Sequence, residues 1–163
     1  MLTEGTVGHD GAVIADREPC ARFVAVGDSF TEGLNDEIRG DGRYRGWADR
    51  VAELLVARQN IEQLSYANLA IRGRLMRQIR DEQVPQAQAL TPDLVTVGAG
   101  VNDALRRTVS LDVVCTDLEN SVRDLTVTGS HVLLFAYGDP SRRSRALGRC
   151  LLYTSPSPRD SSQ

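Results

Sequence analysis

The chain has 163 residues, enough for one domain with a buried core and too few for several. Its 41% apolar and 25% charged content is that of an ordinary globular protein, and no run of about eighteen apolar residues offers a bilayer-spanning helix. With 19 basic against 22 acidic side chains the net charge is −3, which supplies no electrostatic drive toward nucleic acid or an anionic membrane.

Residues 1 to 21 carry Glu4, Asp10, Asp16, Arg17 and Glu18 and no apolar core of signal-peptide length, so a flexible N-terminal segment is expected. Together with cysteines that show no paired or metal-binding spacing (Cys20, Cys115), this favours the cytoplasm. The first strand is Arg22 to Val26, and it stops abruptly at Gly27-Asp28-Ser29. A buried parallel strand that ends this way presents the Ser29 hydroxyl at the sheet's C-terminal edge, where open α/β sheets bind ligands. Two readings stay open locally, a nucleophile and a turn that caps the next helix.

The stretch from Glu32 to Arg45 holds Gly33, Gly40 and Gly42 among charges and reads as a mobile loop near that serine. A helix follows with Trp47, Val51, Leu54 and Leu55 on one face, Trp47 being a core anchor at its start. The second strand, Leu64 to Ala70, leads into Ile71-Arg72-Gly73. Met76, Ile79, Gln83, Ala87 and Leu90 then form a helical stripe in which Pro85 demands a break or a second helix. The third strand, Leu94 to Val97, leads into Gly98-Ala99-Gly100-Val101-Asn102-Asp103. Ser110 is placed to cap a helix that aligns Leu111, Val114, Leu118, Val122 and Leu125 and holds Cys115 as a small buried thiol. The fourth strand is Val132 to Tyr137, with His131 at its opening. Arg142, Arg143, Arg145 and Arg149 follow and read as a solvated loop.

Strands alternating with helices indicate a three-layer α/β/α sandwich around a parallel sheet. The three glycine-bearing turns then share one rim. There the backbone N–H groups of Ser29 and Gly73 and the side-chain amide of Asn102 offer donors for an oxyanion. Gly73 suits this because no Cβ blocks its amide. Asp28 reads as a turn residue that shapes the serine loop, and Asp103 as a helix-start acid or loop brace. With no histidine to join them, metal ligation is disfavoured. Gly98-x-Gly100-x-x-Asp103 and Gly40-x-Gly42 each lack the third glycine of a dinucleotide fingerprint. The Gly-x-Ser-x-Gly elbow fails because Thr31 stands where its second glycine belongs. No cofactor is expected.

Gly27-Asp28-Ser29, Asn68 to Gly73 and Gly100-Val101-Asn102-Asp103 resemble, in order and after three strands, the blocks of the SGNH (GDSL-type) hydrolases, with Phe30 where leucine is commoner. The resemblance covers about residues 22 to 137. It implies a flavodoxin-like sheet of order 2-1-3-4-5. It also implies a serine nucleophile at Ser29, an oxyanion hole from Ser29, Gly73 and Asn102, and a small-molecule ester substrate.

The family's Asp-x-x-His block is absent from the chain, whose two histidines are His9 and His131. His9 falls in the N-terminal segment, and His131 falls near the opposite rim of the sheet. The stretch Cys150 to Asp160 resembles a translated sequencing adapter, with two closely spaced prolines that forbid helix and strand. The expected organisation is therefore a flexible segment 1–21, an incomplete hydrolase domain 22–149 and a non-native tail 150–163. The sheet order becomes 2-1-3-4, with the fifth strand missing. The fourth strand is then an aggregation-prone edge, so poor solubility is expected. The chain as it stands is expected to be inactive for lack of its base. The alternative is a non-catalytic flavodoxin-like binding module.

Overall fold

The computed structural model describes residues 19–135, apart from Asn60, Glu62, Arg107 and Val109. His9, the arginines from 142 to 149, the end of the fourth strand and the tail 150–163 lie outside the described residues.

The first strand, β1 (Arg22–Gly27), is buried from Phe23 onward, as a central parallel strand covered on both faces must be. It stops at a short helix, α1 (Ser29–Glu32). The stretch expected as a loop contains a small antiparallel hairpin, β2 (Glu37–Ile38) with β3 (Tyr44–Arg45). Ion pairs from Arg45 to Glu37 and Glu53 tie this hairpin to helix α2 (Trp47–Gln59). The chain continues through β4 (Ser65–Asn68), α3 (Met76–Gln78), a π-helical turn (Ile79–Gln83) and α4 (Val84–Ala89). Then come β5 (Leu94–Gly98), α5 (Val101–Ala104), α6 (Leu111–Val127) and β6 (His131–Leu134).

The four long strands form one parallel sheet of order β4-β1-β5-β6, which is the expected 2-1-3-4. One face carries Val24, Val26, Val95 and Val97 against Met76, Ile79, Val84, Ala87, Val114 and Leu125. The other carries Phe23 and Ala25 against Ala48 and Ala52 of α2. Burying each large side chain here contributes about 1.5–3 kcal/mol. Among the described residues α2 is the one long helix on that second face, and Leu133 remains 56% exposed. At the N-terminal rim, Asp93 Oδ2 accepts from the backbone N–H groups of Ala21 (2.9 Å) and Arg22 (2.8 Å), which aligns the start of β1 with the start of β5.

Several details depart from expectation. Leu54 is exposed, and the inward face of α2 is built on Ala48 and Ala52, because small residues let that helix lie close to the sheet. Cys115 is exposed, on the solvent side of α6. Ser110 occupies the N-cap of α6 but makes no side-chain capping bond. Leu90 is exposed beyond the end of α4. Pro85 does start a second helix, within the first turn of α4, where its missing N–H costs nothing.

Candidate active site

Four closely spaced features shape the turn at Ser29. β1 ends at Gly27, and Asp28 caps α1 by accepting the Phe30 N–H at its Oδ1 (3.1 Å). Ser29 is the first residue of that helix, so its own N–H has no intrahelical acceptor and points out of the helix end. Gly33 closes the helix in the left-handed region at φ 84°. Gly27 is required by packing. A Cβ there would stand 2.5 Å from Thr31 Oγ1, and it would overlap the Gly98 carbonyl oxygen.

The second turn follows β4. Asn68 steers it: its side-chain oxygen accepts from the Ala70 N–H (3.1 Å) and its Nδ2 donates to the Thr31 carbonyl (2.8 Å), binding β4 to α1. Ile71 to Arg74 form a hydrogen-bonded turn (3.4 Å) with Gly73 third, at φ 76°. A left-handed third residue is what glycine supplies in such a turn. Gly73 is exposed, and a Cβ would meet no atom within 4 Å, so the space above its amide is open. Glu32 pins this turn to α1, accepting from the Arg72 N–H (2.9 Å) and, at both carboxylate oxygens, from its guanidinium.

The third turn follows β5. Asn102 Nδ2 donates to Asp28 Oδ2 (3.3 Å) and to the Arg74 carbonyl (3.0 Å), which joins all three turns. Asp103, buried beside it, accepts the Met76 N–H at Oδ2 (2.9 Å) and so braces the start of α3. Burial raises the Asp103 carboxyl above the ordinary carboxylate range, against the lowering effect of the Met76 N–H. Asp28 is raised too, chiefly by burial, with the Phe30 N–H opposing.

The structure therefore brings Asp28, Ser29, Asn102 and Asp103 and the turn of Gly73 to one rim. Both Asn102 amide hydrogens are engaged with Asp28 and Arg74. His131 is elsewhere: it pairs with Leu94 at the start of β5, whereas Gly27 pairs with Gly98 at the other end. Four residues of strand place it about 13 Å away along the sheet. Among the described residues no group of three or more histidine, cysteine or acidic side chains is arranged to hold a metal. No helix among them is long and apolar enough to cross a membrane.

Two features of the site were not read from the sequence. Phe135 packs edge-on to Phe30 (ring centroids 4.7 Å) and lies 5.6 Å from Trp47, giving the serine turn an aromatic flank. No local pattern announces a contact between residues 30 and 135. The other is Gln83, which is 1% exposed and bonded to Gly27. Its signal was present, as a lone amide in an apolar stripe.

A sequence profile described as the GDSL-like Lipase/Acylhydrolase family matches residues 25–161. No curated protein sequence matches the chain significantly. Among solved structures, it is similar to an alpha/beta hydrolase enzyme from the metagenome of Lake Arreo, Spain. That pair shares 22% identity with a TM-score of 0.67, over 82% of this chain and 68% of the other. It is also similar to TesA, at 21% identity and a TM-score of 0.63, over 80% and 68% of the two chains. A catalytic mutant of Axe2, an acetylxylan esterase from Geobacillus stearothermophilus, gives 20% identity and a TM-score of 0.65, over 80% and 66%. At these identities the structures establish the shared fold, while the profile covers most of the chain. The protein belongs to the GDSL-like lipase/acylhydrolase family, the SGNH hydrolases, which act on ester bonds.

Proposed function

We propose that Ser29 is the nucleophile of a serine esterase that works through an acyl-enzyme on small ester or acyl substrates. Ser29 Oγ attacks the ester carbonyl and its proton passes to a base. The collapse of the tetrahedral intermediate releases the alcohol and leaves the acyl group on Oγ, and water then repeats the sequence to release the acid. The N–H groups of Ser29 and Gly73 and the side-chain amide of Asn102 receive the negative oxygen. Asn102 reaches it by giving up its longer bond, the one to Asp28. The observation that carries this reading is the bonding of Asn102 to both the serine turn and the glycine turn, which places a donor side chain between them.

The chain contains no Asp-x-x-His. In our reading it therefore turns over esters negligibly by itself, since a serine without its base loses most of its activation. Activity then requires that pair from a longer natural product. The competing reading is a non-catalytic flavodoxin-like binding module. It is favoured by the absent Asp-x-x-His, without which this chain can hold a ligand but not activate Ser29.

A fluorophosphonate probe separates the two. Applied to the gene product read beyond Arg149, it should label Ser29, as located by peptide mass spectrometry, and Ser29→Ala should abolish the adduct. An unlabelled Ser29 in a folded protein would overturn the esterase reading.

A further inference from the structure

The β1–β4 ladder ends where the site begins. Its last register pair is Ala25 with Asn68, and Leu69 N–H still donates to the Ala25 carbonyl (2.9 Å). Beyond that point one half of the ladder continues, with Ile71 N–H donating to the Gly27 carbonyl (3.2 Å), before the chain enters the turn that carries Gly73. In an uninterrupted parallel ladder the next N–H of β1, that of Gly27, donates to a β4 carbonyl. Here that N–H goes to a side chain instead, and Gly27 lies buried where an unpaired N–H is costly.

A side chain fills the vacancy. Gln83 Oε1 accepts the Gly27 N–H at 2.8 Å, and Gln83 Nε2 donates to the Gly27 carbonyl at 2.9 Å. The same carbonyl receives the Ile71 N–H at 3.2 Å. The primary amide thus presents one acceptor and one donor to one strand residue, as the facing residue of a hydrogen-bonded antiparallel pair would. Its delivery depends on the π-helical turn Ile79–Gln83, which joins α3 to α4 and places Gln83 on the buried side together with Ile79 and Val84. Single π-turns inside helices are frequent at functional sites because the extra residue re-aims a side chain.

We infer that Gln83 is a positioning residue: its amide takes the Gly27 N–H that the β1–β4 ladder leaves unpaired and fixes the peptide of Gly27, and through it the placement of Ser29 relative to Gly73. Gln83 completes the pairing at the end of β1, where the ladder keeps only the bond from Ile71. The inference rests on the esterase reading for the word positioning, but its geometry does not.

The test is made on the full chain by amide NMR, with no need of turnover. Gln83→Glu preserves shape. Protonated, the introduced carboxyl can accept from the Gly27 N–H and donate to its carbonyl; ionised, it repels that carbonyl. Burial raises the pKa of such a carboxyl. The Ser29 and Gly73 amide signals should match the wild type at the acidic end and move together through one titration as pH rises. Gln83→Leu should show the displaced positions at every pH.

A Ser29 signal that coincides with the wild type in both ionisation states, while thermal stability falls, would reduce Gln83 to a structural role and overturn the inference. Should neither variant fold, hydrogen exchange of the wild type decides. The Gly27 amide should exchange at least 100-fold more slowly than that of Gly73; equal rates would refute the clamp. None of these outcomes depends on fluorophosphonate labelling of Ser29, so the two readings fail separately.

Discussion

The sharpest stability test of the serine turn is Gly27→Ala. A Cβ at this position would stand 2.8 Å from Thr31 Cβ and 2.5 Å from Thr31 Oγ1, and closer still to the Gly98 carbonyl oxygen. Ordinary contact begins near 3.4 Å, so α1 would have to lift from the sheet by about 0.6 Å against Thr31 Cβ alone. Neither Thr31 nor Gly98 can swing aside: Thr31 is fully buried, and the Gly98 atom is backbone within the β1–β5 ladder. Overpacking of this kind costs about 1–3 kcal/mol, and rigid backbone on one side puts the estimate at the upper end, about 3 kcal/mol.

For a chain of this size that is a fall in melting temperature of about 6–12 °C. Circular dichroism melts of the variant, with Gly40→Ala beside it, read the effect. Gly40 has no atom within 4 Å of its would-be Cβ, so its substitution should change stability by no more than about 0.5 kcal/mol. Adding Thr31→Ala should recover part of the loss and no more, because the alanine keeps its Cβ and the Gly98 oxygen stays. A Gly27→Ala melt within 1 °C of the wild type would refute the packing argument, and full rescue by Thr31→Ala would refute the part assigned to Gly98.

Asp117 is 3% exposed and receives Arg77 Nε at 3.1 Å and Arg80 Nη1 at 3.0 Å, linking α3 and the π-turn to α6. Asp117→Ala should lower the urea midpoint by an amount equivalent to about 1–3 kcal/mol, less than a fully buried pair because both arginines can turn to water; an unchanged midpoint would show that this link is idle. Stability should also depend on pH in two opposed ways. Burial holds Asp28 and Asp103 above their ordinary values, so the fold favours their neutral forms, and their contribution is greatest below the ordinary carboxylate range and declines as pH rises through the raised values. At Asp93 burial also pushes upward, but the Arg22 guanidinium and the N–H groups of Ala21 and Arg22 outweigh it, so its contribution is present above the ordinary value and is lost as pH falls through the lowered one. Asp103→Asn, which keeps an acceptor for Met76, should flatten the slope just above the ordinary carboxylate range in urea titrations; an unaltered slope would contradict the assignment.

What lay in the amino-acid order alone was whatever local chemistry decides. Strand β1 is legible because a parallel strand buried on both faces reads as an unbroken apolar run, and its end is legible because Gly27-Asp28-Ser29 is turn chemistry. Alternation of strand and helix makes the parallel sheet legible too, while its order was implied by the resemblance to the SGNH hydrolases and agrees with the observed β4-β1-β5-β6. The identities of Ser29, Gly73 and Asn102 as candidates follow from where each sits after its strand. The hairpin β2–β3 was not legible, because two-residue strands have no period to detect.

Nor was the burial of Asp117 and Ser121 on the inward face of α6, because burial of a polar side chain is decided by partners, such as Arg77 and Arg80 for Asp117, that lie about forty residues away. Tertiary structure alone decided that Asn102 bonds to Asp28 and Arg74, that Glu32 pins the Gly73 turn, and that Gln83 bonds both backbone groups of Gly27. Each is a hydrogen bond between groups 28 to 74 residues apart, and such bonds are selected by where folding closes the chain. Local propensity does not encode that.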